Sequence, residues 1–137
     1  MDMLASRAEA LQLRSAEDIV IARQAVRELS SELGFSLVDQ TKLITAASEL
    51  ARNTIVHGGG GAMQLQTLRV DRRVGISLTF VDQGPGIRDI EQALRDGYTT
   101  GGGLGLGLGG ARRLSNEFEI QSTPGQGTTV RIVRWKP

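Results

Sequence analysis

Glycine dominates one long segment of this chain, and that segment limits the folds open to the rest. From Gly97 to Gly110 the sequence runs Gly-Tyr-Thr-Thr, three glycines, leucine and glycine in alternation, and a final glycine. Glycine loses more conformational freedom on folding than any other residue, so the segment has little preference for a helix or a strand. It is predicted to be a mobile loop unless a ligand orders it. Its amides could converge on phosphate oxygens, although neither a dinucleotide-binding nor a Walker context surrounds it.

Length and composition narrow the class of protein. A chain of 137 residues is predicted to form a single domain, residues 1–137. A net charge of +1, no basic block and only 4% aromatic residues argue against a nucleic-acid binder. The absence of cysteine excludes disulfides, thiolate metal sites and a cysteine nucleophile. The sequence has neither a signal peptide nor a membrane-spanning apolar run, so a cytoplasmic protein is expected.

Two helices are predicted in the first half of the chain. Ser15 is a candidate N-cap for a helix that ends at Gly34. A second, central helix is predicted over Leu37–Val56, capped by Ser36, with apolar residues at three-and-four spacing. Glu49 and Asn53 lie four residues apart on a different face of that helix, where a carboxylate and a carboxamide could share a metal-bound phosphate. Taken alone, the pair is more typical of a solvated helix surface, since surface helices usually turn polar residues to water.

Strand patterns account for most of the remainder. A short edge strand is predicted near Ala10–Leu13, and a hairpin is predicted from the partly alternating Ala62–Val70 and the strongly alternating Val74–Val81. A short helix is predicted over Ile90–Leu94. Two antiparallel strands, Phe118–Ser122 and Thr128–Trp135, are predicted to close the chain. The glycine run at positions 58–61 is interpreted as a flexible turn.

The end of the second hairpin strand carries an unusual cluster. Asp82 follows the alternating strand directly, and Gly84 and Gly86 come next, on either side of Pro85. An aspartate fixed on a strand end could accept a hydrogen bond from an exocyclic amine, while glycines would let the backbone approach a flat ligand. A simple turn would explain the same residues, and the cluster alone does not decide between the two.

Taken together, these features resemble a known superfamily. Glu49 and Asn53 on a helix, Asp82 with its two glycines, the glycine-rich segment and Thr128 after Gly127 occur in the chain order of GHKL ATPases and kinases. Within that superfamily the run Thr45–Asn53, the upstream Asp39–Lys42 and the Gly-Tyr-Thr-Thr opening are similar to the RsbT-like branch of anti-sigma factor kinases. The resemblance implies the Bergerat ATP-binding fold, an α/β (α+β two-layer) sandwich with a mixed, mostly antiparallel sheet covered on one face by helices.

The resemblance also implies site roles. Asn53 would bind Mg²⁺, and Glu49 would be the catalytic base. Asp82 would bind the adenine amine, with Gly84, Gly86 and Thr128 beside it. Three lid glycines would close over the ATP phosphates, namely Gly103, Gly105 and Gly107. Arg112 and Arg113 could reach the phosphates or could make salt bridges or face solvent. His57 is not interpreted as a phosphoacceptor, because the chain has no separate dimerisation helix to carry one.

The function that the resemblance implies is an ATP- and Mg²⁺-dependent protein serine/threonine kinase of the stressosome type. Its partners would be STAS-domain scaffold or antagonist proteins, and the released kinase would activate a phosphatase or similar effector. An alternative is a non-catalytic, nucleotide-bound anti-sigma or partner-switching module, against which Glu49 argues, because a pure binder needs no base. An ATPase that drives an assembly is a third possibility, although the chain has no second domain to move.

Overall fold

The computed structural model describes residues 4–95, 99–100, 104–105 and 107–137. Two long helices, α1 (Ala16–Glu32) and α2 (Leu37–Val56), follow a first strand, β1 (Leu4–Leu13). The hairpin strands are β2 (Gly61–Val70) and β3 (Arg73–Asp82), and a short helix α3 (Ile90–Ala93) comes next. Two-residue strands β4 (Thr99–Thr100) and β5 (Leu104–Gly105) precede helix α4 (Leu108–Arg113). The chain ends with β6 (Glu117–Ser122) and β7 (Thr128–Trp135).

The main sheet has five strands in the order β1-β2-β3-β7-β6, and β4 pairs separately with β5. The sheet is mostly antiparallel, as predicted, and in the described part of the chain every pairing is antiparallel, so the predicted mixture with parallel strands is not seen. β3 lies at its centre, between β2 and β7. This position fixes Asp82, at the end of β3, next to Gly61 on one side and Thr128 on the other.

One hydrophobic core joins the two long helices to one face of the sheet. Alternate residues of β2 and β3 face it, because side chains of a strand point to opposite faces in turn. Leu65 pairs with Leu78 and Met63 pairs with Phe80 across the hairpin, and all four side chains are buried. The helices supply the apolar stripes that meet this face, with buried residues that include Val26, Leu29, Leu43, Ala47 and Leu50.

The predicted elements are confirmed, with small changes of extent. The edge strand is longer than Ala10–Leu13, since β1 pairs with β2 from Leu4 onward. The central helix has the predicted bounds, and α1 gives way at Leu33 to Gly34, which has a φ of +83°. The hairpin turn contains Asp71 at a φ of +56°.

The glycine run at positions 58–61 forms the predicted turn up to Gly60, but Gly61 begins β2, and close packing requires glycine at two of the four positions. A Cβ on Gly61 would overlap the carbonyl oxygen of Val81 on the paired strand. A Cβ on Gly58 would overlap the Asp82 side chain. Both positions therefore need glycine because another chain segment occupies the space of a side chain. The sequence pattern shows the glycines but not the neighbours.

A buried ion pair fastens the start of α2 to the C-terminal strand. The Nη2 of Arg134 on β7 lies 2.6 Å from the Oδ1 of Asp39, and both side chains are about one-eighth exposed, at 12% and 13%. The same guanidinium donates from Nη1 to the carbonyl of Leu114, at the end of α4, over 2.7 Å. The Ser36 hydroxyl, which caps α2, donates to the other carboxylate oxygen of Asp39. Arg134 thus connects three separate elements.

Loss of this ion pair is expected to destabilise the protein. Asp39→Asn would leave the buried Arg134 charge without its partner, at a cost of about 3 kcal/mol. The hydrogen bond from Arg134 holds the pKa of the Asp39 carboxyl below its ordinary value. A lowered pKa stabilises the fold above the unfolded-state value of about 3.9, and the contribution is lost as the pH falls through the folded-state pKa. The difference in free energy of unfolding between wild type and Asp39→Asn should therefore be largest above about pH 5 and become smaller below about pH 4.

Urea unfolding at several pH values measures that gap. Glu119→Gln is the matched control, because Glu119 also pairs with an arginine of β7, Arg131, at 3.5 Å, but is 65% exposed. Such surface pairs contribute less than about 1 kcal/mol. Equal losses for the two variants, or a gap that does not change with pH, would contradict the assignment.

Candidate functional site

The Asp82 carboxylate is held rigidly at the end of the central strand. Its Oδ1 accepts hydrogen bonds from the backbone N–H of Gly84, at 2.8 Å, and of Thr128, at 3.2 Å. Its Oδ2 has no partner among the residues that the structure describes. One oxygen therefore fixes the side chain, and the other can accept a hydrogen bond from a ligand.

The hydroxyl groups of Ser122 and Thr128 form a hydrogen-bond network where β6 ends and β7 begins. The Ser122 hydroxyl accepts from the backbone N–H of Ile87 at 2.7 Å and lies 3.2 Å from the carbonyl of Gly127, to which it donates. The Thr128 hydroxyl lies 2.7 Å from the Ser122 hydroxyl. Since the single proton of Ser122 goes to the Gly127 carbonyl, Thr128 donates to Ser122 and keeps lone pairs for another donor. The network links β6, β7 and the loop that contains Gly86.

Asn53 faces the same space from helix α2. Its side chain is half-buried, and its Nδ2 is buried without a hydrogen-bond partner among the described residues. A buried amide left without a partner costs free energy, so a water molecule, an ion or a ligand is expected to contact it. Rotation of the amide by 180° would put Oδ1, a metal ligand and acceptor, in the same place.

Asn53, Asp82 and Thr128 line one small, open cavity, whose free interior volume is about 50 Å³. Its walls are largely apolar, with a few polar groups that converge on the interior, as in small-molecule sites. The polar lining comprises Asn53, Thr54, His57, Asp82 and Thr128, and the remaining lining residues are Leu50, Gly58, Phe80, Gly86, Ile87, Leu108 and Val130. The structure therefore brings together Asn53, Asp82, Gly86 and Thr128, which the sequence places up to 75 positions apart.

Glu49 does not line this cavity, although it lies about one helical turn before Asn53, which does. Its side chain is 36% exposed, and its Oε1 lies 3.3 Å from the Nη1 of Arg52. Gly107, which has a φ of +67° and precedes α4, packs so closely that a Cβ there would lie 2.6 Å from the Glu49 Oε2. Only glycine suits both that backbone conformation and that contact.

The other predicted glycines have different positions. Gly84 does not line the cavity, and a Cβ on it would lie 2.7 Å from the Cα of Gly58, so it serves the packing of two loops. Gly86 does line the cavity. Gly105 belongs to β5, and Gly103 lies outside the described residues. The predicted mobility of the glycine-rich segment without a ligand also concerns residues that lie largely outside the described part of the chain. Arg112 and Arg113 are exposed on α4.

The side chains around the cavity offer few ligands for a magnesium ion. Nowhere in the described ranges do three or more His, Cys, Asp or Glu side chains form a cluster that could hold a metal. Mg²⁺ bound with nucleotides takes only one or two protein ligands, and phosphates and water complete its octahedron. The unpartnered amide of Asn53 fits that requirement.

Sequence reasoning missed most of the apolar lining and Ser122. Leu50, Phe80 and Val130 have the same periodicity as core residues, and nothing in the pattern distinguishes a cavity wall from a packed core. Gly58 could have been recognised only from its contact with Asp82. Ser122 had no signal at all, because its role depends on a bond to Ile87, 35 residues away.

Residues 38–137 match the family model described as histidine kinase-, DNA gyrase B- and HSP90-like ATPase. The chain is 44% identical to the serine/threonine-protein kinase RsbT of Bacillus subtilis (strain 168) over 118 residues, which cover 86% of this chain and 89% of that protein. It is 29% identical to the anti-sigma F factor of Thermoanaerobacter sp. (strain X514), over 90% of this chain and 89% of that protein. The predicted resemblance is confirmed.

Solved structures with low sequence identity share the fold. The RsbU and RsbW domains of a Mycobacterium tuberculosis protein superpose with a TM-score of 0.62 at 21% identity, over 96% of this chain and 34% of that one. The SiaB–SiaC complex of Pseudomonas aeruginosa gives a TM-score of 0.57 at 16% identity, over 94% and 90%. At such identities the likeness concerns the arrangement of helices and strands.

No helix within the described ranges combines the length and apolar character needed to span a bilayer.

Proposed function

Because the chain belongs to the family of histidine kinase-, DNA gyrase B- and HSP90-like ATPases, we propose that it is a cytoplasmic, ATP-dependent serine/threonine protein kinase that works by partner switching. One observation carries the proposal. Asn53, Asp82 and Thr128 converge on one cavity, and the partly exposed Glu49 lies about one helical turn from Asn53, where a second substrate could reach it. The similarity to a serine/threonine-protein kinase over most of both chains supports the same activity.

The adenine of ATP would occupy the Asp82 end of the cavity. The free Oδ2 of Asp82 would accept from the exocyclic amine, and the Thr128 hydroxyl would accept from a second donor, such as a bridging water. The apolar walls, with Phe80 and Val130 among them, would cover the faces of the ring. Gly86 has no side chain, so its backbone would contact the adenine directly at the same end of the cavity.

The phosphates would lie toward Asn53 and the start of α4. Asn53 would hold Mg²⁺, which when bound neutralises charge on the transferring phosphoryl group. The backbone around Gly105 and Gly107 would close over the phosphates, with Gly103 from the same segment. Phosphoryl transfer depends mainly on positioning and charge neutralisation, so this small set of groups suffices.

Glu49 would act as the base. The hydroxyl of a serine or threonine in the acceptor protein would attack the γ-phosphorus, and its proton would pass to the Glu49 carboxylate. The bond between the γ-phosphorus and the bridging oxygen would break, and ADP would leave with that oxygen. The 36% exposure of Glu49 allows a hydroxyl to approach from outside while ATP occupies the cavity. Arg52, which holds the carboxylate now, would remain beside it.

The acceptor is proposed to be a STAS-domain scaffold or antagonist protein, and the kinase released from it would activate a phosphatase or similar effector. Support comes from relatives whose names describe a serine/threonine kinase and an anti-sigma factor, both regulators that act on other proteins. The similarity to anti-sigma F factors supports a purely binding role. A base at position 49 would distinguish a kinase from such a binding module, because only the kinase needs one.

The test is a phosphorylation assay with purified protein, Mg²⁺, γ-labelled ATP and a panel of purified STAS-domain proteins. The expected result is acid-stable label on serine or threonine of at least one STAS protein. Normal ATP binding without phosphorylation of any of them would overturn the proposed kinase activity and favour the binding module.

A further inference from the structure

Helix α2 presents an exposed stripe that passes through Glu49. Val38, Lys42, Thr45, Glu49 and Arg52 follow one another at spacings of four and three, which places them on one side of the helix. Glu49 is half-exposed, the other four are exposed, and Val38 is 64% exposed. The stripe from Val38 to Glu49 is about 16 Å long, at 1.5 Å per residue. We call it the α2 stripe.

The position of Glu49 decides from which side an acceptor can come. A base must lie within hydrogen-bond reach of the hydroxyl that it deprotonates. The cavity behind Glu49 is the proposed ATP site, so the hydroxyl must approach from the exposed side. A folded acceptor covers about 800 Å² of its partner's surface, much more than one side chain. It must therefore also cover neighbours of Glu49 on the α2 stripe.

The charge around Glu49 defines the chemistry of that partner. Lys42 lies on the stripe, Arg52 lies beside Glu49 and pairs with it, and Arg112 is exposed on the adjoining helix α4. Glu49 itself is the one acid on the stripe, and α4 has none. Asp39, the next acid along α2, is engaged by Arg134. A complementary surface carries acidic side chains around its acceptor hydroxyl, and an apolar side chain opposite Val38.

We propose that the α2 stripe is the docking surface for the protein that is phosphorylated, and that this protein presents its serine or threonine within an acidic surface with an apolar anchor. The inference rests on the proposed kinase function and specifies where and by what chemistry its substrate is recognised. Lys42 and Val38 are specificity-determining residues, because they lie about two and three helical turns from the base and touch the acceptor rather than ATP.

Two variants test the proposal, and the fold supplies a matched control. Val38→Asp removes the apolar anchor and adds repulsion of an acidic partner, and Lys42→Glu reverses a charge. Val20→Asp is the control, because Val20 is 63% exposed on helix α1, nearly the same as Val38. The probe is the STAS-domain protein that wild type phosphorylates in the assay above. Each test variant should raise the KM for that protein about tenfold, a typical change for a contact at a docking surface.

Affinity for Mg-ATP, measured by calorimetry, should stay within about twofold of wild type for all three variants, and Val20→Asp should also keep the wild-type KM for the acceptor. The proposal is overturned if the α2 variants behave like Val20→Asp. It is also overturned if Val38→Asp converts a dimer to a monomer in sedimentation velocity, since the stripe would then be a contact between two copies. If wild type phosphorylates no STAS protein, the kinase function fails and this inference fails with it; if only the variants disagree, the kinase function stands.

Discussion

Asp82→Asn is expected to lower the affinity for ATP about 100-fold, equivalent to nearly 3 kcal/mol. Asparagine has the same shape, and its Oδ1 can still accept from Gly84 and Thr128, so the loop should keep its conformation. The change falls on the other position, where an NH₂ group replaces Oδ2. That group would face the amine of adenine, and two donors cannot satisfy each other.

Calorimetry with Mg-ATP measures this loss, and the thermal midpoint shows whether the fold is retained. Asp89→Asn is the matched control: Asp89 is exposed and caps α3 by accepting from the N–H of Gln92, which asparagine does equally well. Undiminished ATP binding by Asp82→Asn would show that adenine is recognised elsewhere. The same loss in both variants would point to a general effect on this region.

Glu49→Gln is expected to lower the rate of phosphoryl transfer to the acceptor protein about 1,000-fold, within the range for removal of a general base. Glutamine keeps the volume next to Gly107 but cannot take the proton of the attacking hydroxyl. Because Glu49 does not line the cavity, ATP affinity should stay within about twofold of wild type. Loss of the exposed pair with Arg52 should change the stability by less than about 1 kcal/mol.

Single-turnover kinetics with saturating ATP isolates the chemical step. Glu91→Gln, an exposed glutamate on α3, makes the same chemical change away from the site. A rate for Glu49→Gln close to that of the control would remove Glu49 from the role of base. If the rate falls but regulation of the partner in cells is unchanged, phosphorylation is not the main activity, and switching by binding takes its place.

Local sequence signals were sufficient for the secondary structure and for the chemical types of the site. The three-and-four spacing across Leu37–Val56 and the alternation across Val74–Val81 each reflect one face buried against a core, and this periodicity is independent of distant neighbours. Asp82 stood out because an acid followed by two glycines at the end of a core strand is unusual, whereas Glu49 and Asn53 were singled out only together with the glycine-rich remainder of the chain. The structure places Asn53 and Asp82 in one cavity.

Contacts between distant segments were beyond those signals. The pattern near Gly58 predicted a flexible turn, but the Asp82 side chain occupies the space where a Cβ would lie. The bond from Arg134 to Asp39 joins residues 95 positions apart, and Ser122 has its role through Ile87. Glycine, arginine and serine are common in loops and on surfaces, so their identity alone says nothing about such partners.

The sequence by itself thus determined the helices and strands, which follow from periodicity, while its resemblance to GHKL ATPases and kinases implied which polar groups would bind a nucleotide. Only the tertiary structure decided that Asp82 has one oxygen held by backbone N–H groups and one without a partner among the described residues, that the buried Nδ2 of Asn53 has none there either, and that Glu49 is partly exposed and does not line the cavity. Each of these depends on which segments the central position of β3 and the packing of α2 bring within a few ångströms, and distances through space are not encoded in local spacing.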